Sequence, residues 1–210
     1  MLIKLGLFAP LQEKLAQLGV TSVVYDGVLP DPTIEQIETG LALLKQEGCT
    51  AIFAFGGGSS LDAAKAIAAR ATNGYALVKM AGIMRILHKP LPLYAVPTTA
   101  GTGSEVTIAA VVSDPAATRK FAIIDPKLLP LGAALDGQLM TGLPRAITAA
   151  TGMDALTHAV EAYISRNRTP ATDAEALDAV PGYLPAAFAL EIHARELGDL
   201  TTLARVQHEL

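Results

Sequence analysis

Ala51-Ile52-Phe53-Ala54-Phe55-Gly56-Gly57-Gly58-Ser59-Ser60-Leu61-Asp62-Ala63-Ala64-Lys65-Ala66-Ile67-Ala68 joins an apolar run, a glycine turn and a helix-forming stretch without a spare residue. The order predicts strand, turn and helix in immediate succession. Residues without a β-carbon let the backbone come close to a ligand, and the first N–H groups of the helix, which have no intrahelical acceptor, point at whatever lies there. The positive end of the helix dipole favours a phosphate or pyrophosphate at that point, with Ser59 or Ser60 available as cap and donor. A plain strand-to-helix connection that needs glycine for a tight turn looks the same locally, because the spacing is neither that of the P-loop nor that of the common GxGxxG fingerprint.

Around this segment, 210 residues with 51% hydrophobic content are enough for a real core, so disorder is excluded and the chain is expected to hold one large domain or one and a half. A formal net charge of -4, with Lys and Arg scattered, gives no footprint for nucleic acid or an anionic membrane and points to a small-molecule partner. No apolar run approaches the roughly 20 residues that span a bilayer, and the N-terminus lacks the order of a signal peptide, so a cytoplasmic protein is expected. The single cysteine, Cys49, cannot form an internal disulfide, which fits a reducing compartment, and it reads as a small core residue. Tryptophan is absent and aromatics make up 5%, which argues against a stacking platform for bases or sugars.

Helical spacing covers Leu11 to Leu18, Thr21 to Tyr25 is short and β-branched, and Asp31-Pro32-Thr33 opens a helix running to about Gly48. Leu91 to Val96 and Thr107 to Val112 read as further buried-type strands. The alternation implies an α/β fold, a mostly parallel sheet with helices on its faces, whose ligands bind outside the carboxyl ends of strands. From about Leu143 the character turns helical, and Thr148 to Ile164 is free of proline and rich in alanine. A boundary near 135 to 145 divides the chain into an α/β domain, 1–140, and a helical one, 141–210. In the tail, Pro181, Gly182 and Pro185 precede a charge-bearing helical stretch.

Two further segments carry chemistry. Pro97-Thr98-Thr99-Ala100-Gly101-Thr102-Gly103-Ser104-Glu105 comes after an apolar strand and sets four hydroxyls among glycines, a loop suited to donating to phosphate, ribose or amide groups, although such loops are often only loops. In Thr151-Gly152-Met153-Asp154-Ala155-Leu156-Thr157-His158-Ala159-Val160-Glu161-Ala162-Tyr163, Asp154 and His158 lie four residues apart and leave one helix face. A carboxylate and an imidazole at that spacing can hold one divalent metal. They can equally form a surface pair, and two ligands fall short of the three or four of a catalytic site.

In this order the three segments resemble the iron-containing, or group III, alcohol dehydrogenases. The GGGS-x-x-D-x-AK stretch of that family is matched by Gly56 to Lys65, its P-T-T-x-G-T-G-S-E loop by Pro97 to Glu105, and its G-M-D-A-L-T-H-A-x-E-A-Y helix by Gly152 to Tyr163. The resemblance covers about Leu7 to Leu177. It implies a dehydroquinate synthase-like fold: a dinucleotide-binding α/β domain followed by the start of an all-helical metal-binding domain. It also implies hydride transfer between a primary alcohol or aldehyde and NAD(P), with a divalent metal, Fe2+ or else Zn2+, acting as Lewis acid. Gly57, Gly58 and Ser59 would hold the pyrophosphate, Asp62, Thr98, Thr99 and Thr102 would position the nicotinamide side, and Lys120 would touch the ribose. Asp154 and His158 would be the first two metal ligands. A homo-oligomer is expected, with no nucleic acid or membrane partner.

The departures from the family pattern set the rival expectations. Family chains are longer at both ends, and this one starts after the strand whose acidic residue helps select NAD or NADP. The two further histidine ligands stand in H-x-x-x-H and H-G contexts, which do not occur here; His193 and His208 read as solvated helix residues, and His88 as a loop residue. Asp31 stands where many relatives carry asparagine. A non-catalytic nucleotide-binding remnant is therefore one alternative, and a glycerol dehydrogenase or dehydroquinate synthase type is another.

Overall fold

The computed structural model describes Gly6 and residues 8–181. They divide into two compact units, one of residues up to Thr98 together with Ser104–Leu139, the other of Thr99–Gly103 together with residues from Met140 onward.

The first unit is α/β. Its order is α1 (Ala9–Gln17), α2 (Ile34–Gln46), β1 (Ile52–Gly56), α3 (Gly58–Thr72), β2 (Gly82–Ile83), β3 (Leu93–Pro97), β4 (Ala109–Asp114), β5 (Arg119–Ile124) and β6 (Gly132–Ala133), with short 3-10 turns between several of them. One sheet runs β1-β3-β6, all parallel, with Ile52 beside Leu93 and Gly56 beside Pro97. The other runs β2-β5-β4, in which β2 and β5 are parallel and β4 and β5 form an antiparallel hairpin. The expected α/β class with a mostly parallel sheet is thus observed. The hairpin arises because the chain turns at Asp114-Pro115-Ala116-Ala117-Thr118, where Thr118 adopts a left-handed φ of 49° and the Asp114 side chain accepts from Ala117 N at 3.3 Å.

Helix α3 is the spine of this unit. It packs on β1, β3 and β4 and against α2, and Leu61, Ala63, Ala64, Ala66, Ile67, Ala68 and Ala69 are all buried. A helix covered on so many sides needs small side chains so that its neighbours can approach, which is what its alanines supply. Ile37 and Leu41 of α2, Val112 of β4 and Ile123 of β5 complete one apolar cluster around it, and Ala54, Leu93 and Ala95 a second. Helix α2 starts at a capping box: Thr33 Oγ1 accepts from Gln36 N at 3.3 Å, and Gln36 Oε1 accepts from Thr33 N at 3.2 Å. At the end of α3, buried Asn73 donates to the Ala69 and His88 carbonyls and accepts from Leu87 N and His88 N, tying the loop at His88 to the helix.

Thr21–Tyr25, expected as a strand, is irregular. β1 is an edge strand, and the segment pairs with neither sheet, so its backbone groups gain no ladder and Val23 and Val24 remain exposed. Tyr25 turns instead onto α2, where its hydroxyl donates to the Gln36 carbonyl at 2.7 Å. The strand expected at Thr107 to Val112 starts two residues later, at Ala109, and the carbonyl and hydroxyl of Thr107 before it both accept from the Lys65 ammonium.

The second unit holds α4 (Arg145–Ile164) and a further helical stretch at 170–181. Ala149, Met153 and Leu156 form its apolar cluster, with Val180 packed against them. Gly182, Pro185 and the rest of the tail, with His193 and His208, lie outside the described residues.

Candidate functional site

The glycine turn sits at the carboxyl end of β1. Gly56 has a φ of 154°, a conformation that side chains disfavour, while Gly57, with φ -80° and ψ -175°, serves as N-cap of α3 and supplies no cap side chain. The first N–H groups of a mostly buried helix are left to an external acceptor. Because Gly56 pairs with Pro97 and its carbonyl accepts from Thr98 N at 2.9 Å, the ends of β1 and β3 lie side by side. Gly57, Gly58, Ser59 and the buried Thr98 therefore share one end of the β1-β3-β6 sheet.

Two polar side chains of α3 fasten the chain between β3 and β4. Asp62 Oδ1 accepts from Ser104 Oγ at 2.6 Å and its Oδ2 from Val111 N at 3.0 Å, so both oxygens of this expected cofactor-side residue are engaged within the protein. Lys65 is 1% exposed and donates to the Thr107 carbonyl at 2.8 Å, Thr107 Oγ1 at 3.0 Å and the Ala109 carbonyl at 2.8 Å. Burial lowers its pKa from 10.5 to about 8, against the opposing pull of Asp62 and Glu105. Sequence reasoning had no role for Lys65; the signal was a lone cation inside an alanine-rich, otherwise apolar stretch.

Lys120, on β5, is exposed and pairs with Asp31 Oδ1 at 2.7 Å. Asp31 has a left-handed φ of 59°, and its N–H donates to Ser59 Oγ at 3.3 Å. Ser59, Asp31 and Lys120, far apart in sequence, thus meet at the start of α3.

Thr99 and Thr102 belong to the second unit. Thr99 Oγ1 is buried and has no hydrogen-bond partner among the described residues, an orphaned hydroxyl of the kind that a ligand or ordered water satisfies. Gly101, at φ 122°, passes so close to α4 that a β-carbon there would run into the Thr151 carbonyl oxygen. On α4, Asp154 Oδ1 and His158 Nε2 are 3.9 Å apart and about half exposed, on one face as expected. A carboxylate oxygen and an imidazole nitrogen at that separation suit one divalent cation in kind. Among the described residues no group of three or more His, Cys, Asp or Glu side chains is placed to hold a metal ion, so the pair by itself falls short of a catalytic ligand set.

Two family models match the chain: iron-containing alcohol dehydrogenase over residues 1–137, and the C-terminal part of the Fe-containing alcohol dehydrogenase family over residues 148–195. The chain belongs to the iron-containing alcohol dehydrogenase family. It is 44% identical over 179 residues to alcohol dehydrogenase 4 of Schizosaccharomyces pombe, covering 85% of this chain and 42% of that protein. It is 41% identical over 196 residues to the NAD-dependent methanol dehydrogenase of Bacillus methanolicus, covering 91% and 51%. Among solved structures, the alcohol dehydrogenase from Oenococcus oeni superposes with a TM-score of 0.79 at 40% identity, over 82% of this chain and 45% of that one. The chain spans about half the length of the curated relatives it matches.

Proposed function

We propose that this chain is the dinucleotide-binding part, with the start of the metal-binding part, of an alcohol dehydrogenase that moves hydride between a primary alcohol or aldehyde and NAD(P). The observation that carries the reading is the uncapped start of α3 behind Gly56 and Gly57 at the end of a parallel strand, where a diphosphate meets free N–H groups and a helix dipole. Gly57, Gly58 and Ser59 would bind the diphosphate, Thr98, Thr99 and Thr102 the nicotinamide half, and Lys120 the ribose. Asp62 would act through Ser104, holding the hydroxyl-rich loop in place rather than touching the cofactor. Bound NAD(P) supplies the hydride acceptor. A divalent metal, iron or else zinc, with Asp154 and His158 among its ligands, would supply Lewis acidity toward the alcohol oxygen.

The enzyme is proposed to work in the cytoplasm as a homo-oligomer, without a nucleic-acid or membrane partner. Among the described residues no helix is long and apolar enough to cross a membrane. Self-association is supported by apolar surface on the first unit, where Phe53 and Tyr94 stack at 5.3 Å while remaining 43% and 39% exposed.

Gly57→Val tests the cofactor reading. The φ and ψ of Gly57 suit any residue, so the fold should survive, while the new side chain stands where a phosphate must approach. NADH affinity should fall at least about tenfold, the usual consequence of a lost buried-phosphate contact. Unchanged binding by a folded variant would remove the reading.

A non-catalytic nucleotide binder is the second reading, favoured by the count of two candidate ligands among the described residues. The chain should bind Zn2+ or Fe2+ only weakly, and Asp154→Ala should weaken that binding by at least about another tenfold, since even indirect ligand support is worth that much. Calorimetric titration of the chain and the variant checks both. Tight binding indifferent to Asp154→Ala would show that the metal sits elsewhere.

A further inference from the structure

Asp31 is an exposed carboxylate at a place where the proposed cofactor brings two negative charges. Its position is built by the fold. Pro32 O accepts from Ser113 N at 2.9 Å, Thr33 bridges to Ser113, and Ser113 faces Lys120 across the β4–β5 hairpin. Asp31 is thereby delivered to Lys120 on one side and, through its N–H, to Ser59 in the first turn of α3 on the other.

We propose that Asp31 competes with the cofactor for the positive charge at the glycine turn, holding Lys120 by an ion pair that the bound dinucleotide must weaken. The proposal rests on the reading of the turn as a cofactor site. A carboxylate here draws on two groups that the proposed cofactor also uses, the helix N-terminus for its diphosphate and the Lys120 ammonium for its ribose. Ser59 Oγ accepts from Asp31, so its own hydroxyl proton stays available to a phosphate oxygen. The pair is exposed on both sides, 56% for Lys120 and 65% for Asp31, so a ligand can reach either member. Asparagine tolerates a left-handed φ as well as aspartate does, so Asp31→Asn removes the charge without straining the turn.

The test is NADH fluorescence titration of the full chain and of Asp31→Asn, Lys120→Met, the double variant and Gly57→Val. Asp31→Asn should bind NADH about threefold tighter at low salt and Lys120→Met about threefold weaker, magnitudes typical of exposed charges near a helix N-terminus. The double variant should bind closer to Lys120→Met than to the unsubstituted chain, since removing Asp31 frees no ammonium once Lys120 is gone. The gain should shrink at about 0.5 M salt, where screening shortens to a few ångströms. NADH binding that Gly57→Val abolishes but Asp31→Asn leaves unchanged overturns the proposal alone. So does weaker binding by Asp31→Asn, which would mean that the carboxylate accepts from a cofactor hydroxyl. No NADH binding by any variant, or binding untouched by Gly57→Val, overturns the cofactor reading and this proposal with it.

Discussion

Lys65→Ala should lower the free energy of unfolding by about 3 to 4 kcal/mol, from the loss of three buried methylenes at about 0.8 kcal/mol each and from acceptors left without a donor. The side chain is 1% exposed, and its ammonium satisfies the Thr107 and Ala109 carbonyls and Thr107 Oγ1 at once. Relief of the ammonium's desolvation offsets part of this, which keeps the figure below the simple sum. Lys65→Met keeps the stem and should lose less. Denaturant unfolding of both variants gives the numbers, and a loss under about 1 kcal/mol for Lys65→Ala would show that the anchor is dispensable.

The pH dependence of that difference has a definite sign. Burial holds the folded pKa of Lys65 at about 8, below the unfolded 10.5, so between those values the unfolded chain binds more protons. Stability contributed by this group therefore rises with pH across that window and is flat on either side. The gap between the unsubstituted chain and Lys65→Met should widen from pH 8 to 10.5, and a gap that narrows there would place the folded pKa above the unfolded one.

What was legible in the sequence was local. The glycine turn is written in consecutive residues, since a strand end, a left-handed or unhindered backbone and a helix start each have their own residue types. The Asp154 and His158 pair is likewise local, because four residues on a helix is one turn. The opening of α2 at Asp31-Pro32-Thr33 was legible for the same reason. The roles of Asp62 and Lys65 were not. Asp62 reaches Ser104 and Val111, 42 and 49 residues away, and Lys65 reaches Thr107 and Ala109, 42 and 44 away, and no periodicity encodes such partners. The strand expected at Thr21–Tyr25 had the right composition, but β propensity acts only where a neighbouring strand offers a ladder. The meeting of Asp31 with Lys120 depends on the register of the β4–β5 hairpin, and neither that pairing nor its register is written in either strand alone.

Gly101→Ala should be about as damaging as Lys65→Ala, through sterics alone. The residue sits at φ 122°, where a β-carbon costs on the order of 1 to 3 kcal/mol, and overpacking adds a similar amount. The atom in the way is the Thr151 carbonyl oxygen, with Ala155 Cβ 3.3 Å off. Thr151 is helical backbone, so it cannot rotate aside as a side chain would, and the Thr99–Gly103 stretch has to lift away from α4. Such a shift would also carry Thr99 and Thr102, the proposed donors to the nicotinamide half. Hydrogen exchange at the amides of 151–155 reports the loss locally, and NADH titration reports its consequence for the site. Gly74→Ala is the matched control, since a β-carbon there meets nothing within 4 Å and no left-handed φ is involved. Protection at 151–155 and NADH affinity should both fall in Gly101→Ala and stay unchanged in Gly74→Ala. Equal protection in the two variants would mean that the loop does not rest on α4 as closely as the backbone geometry requires.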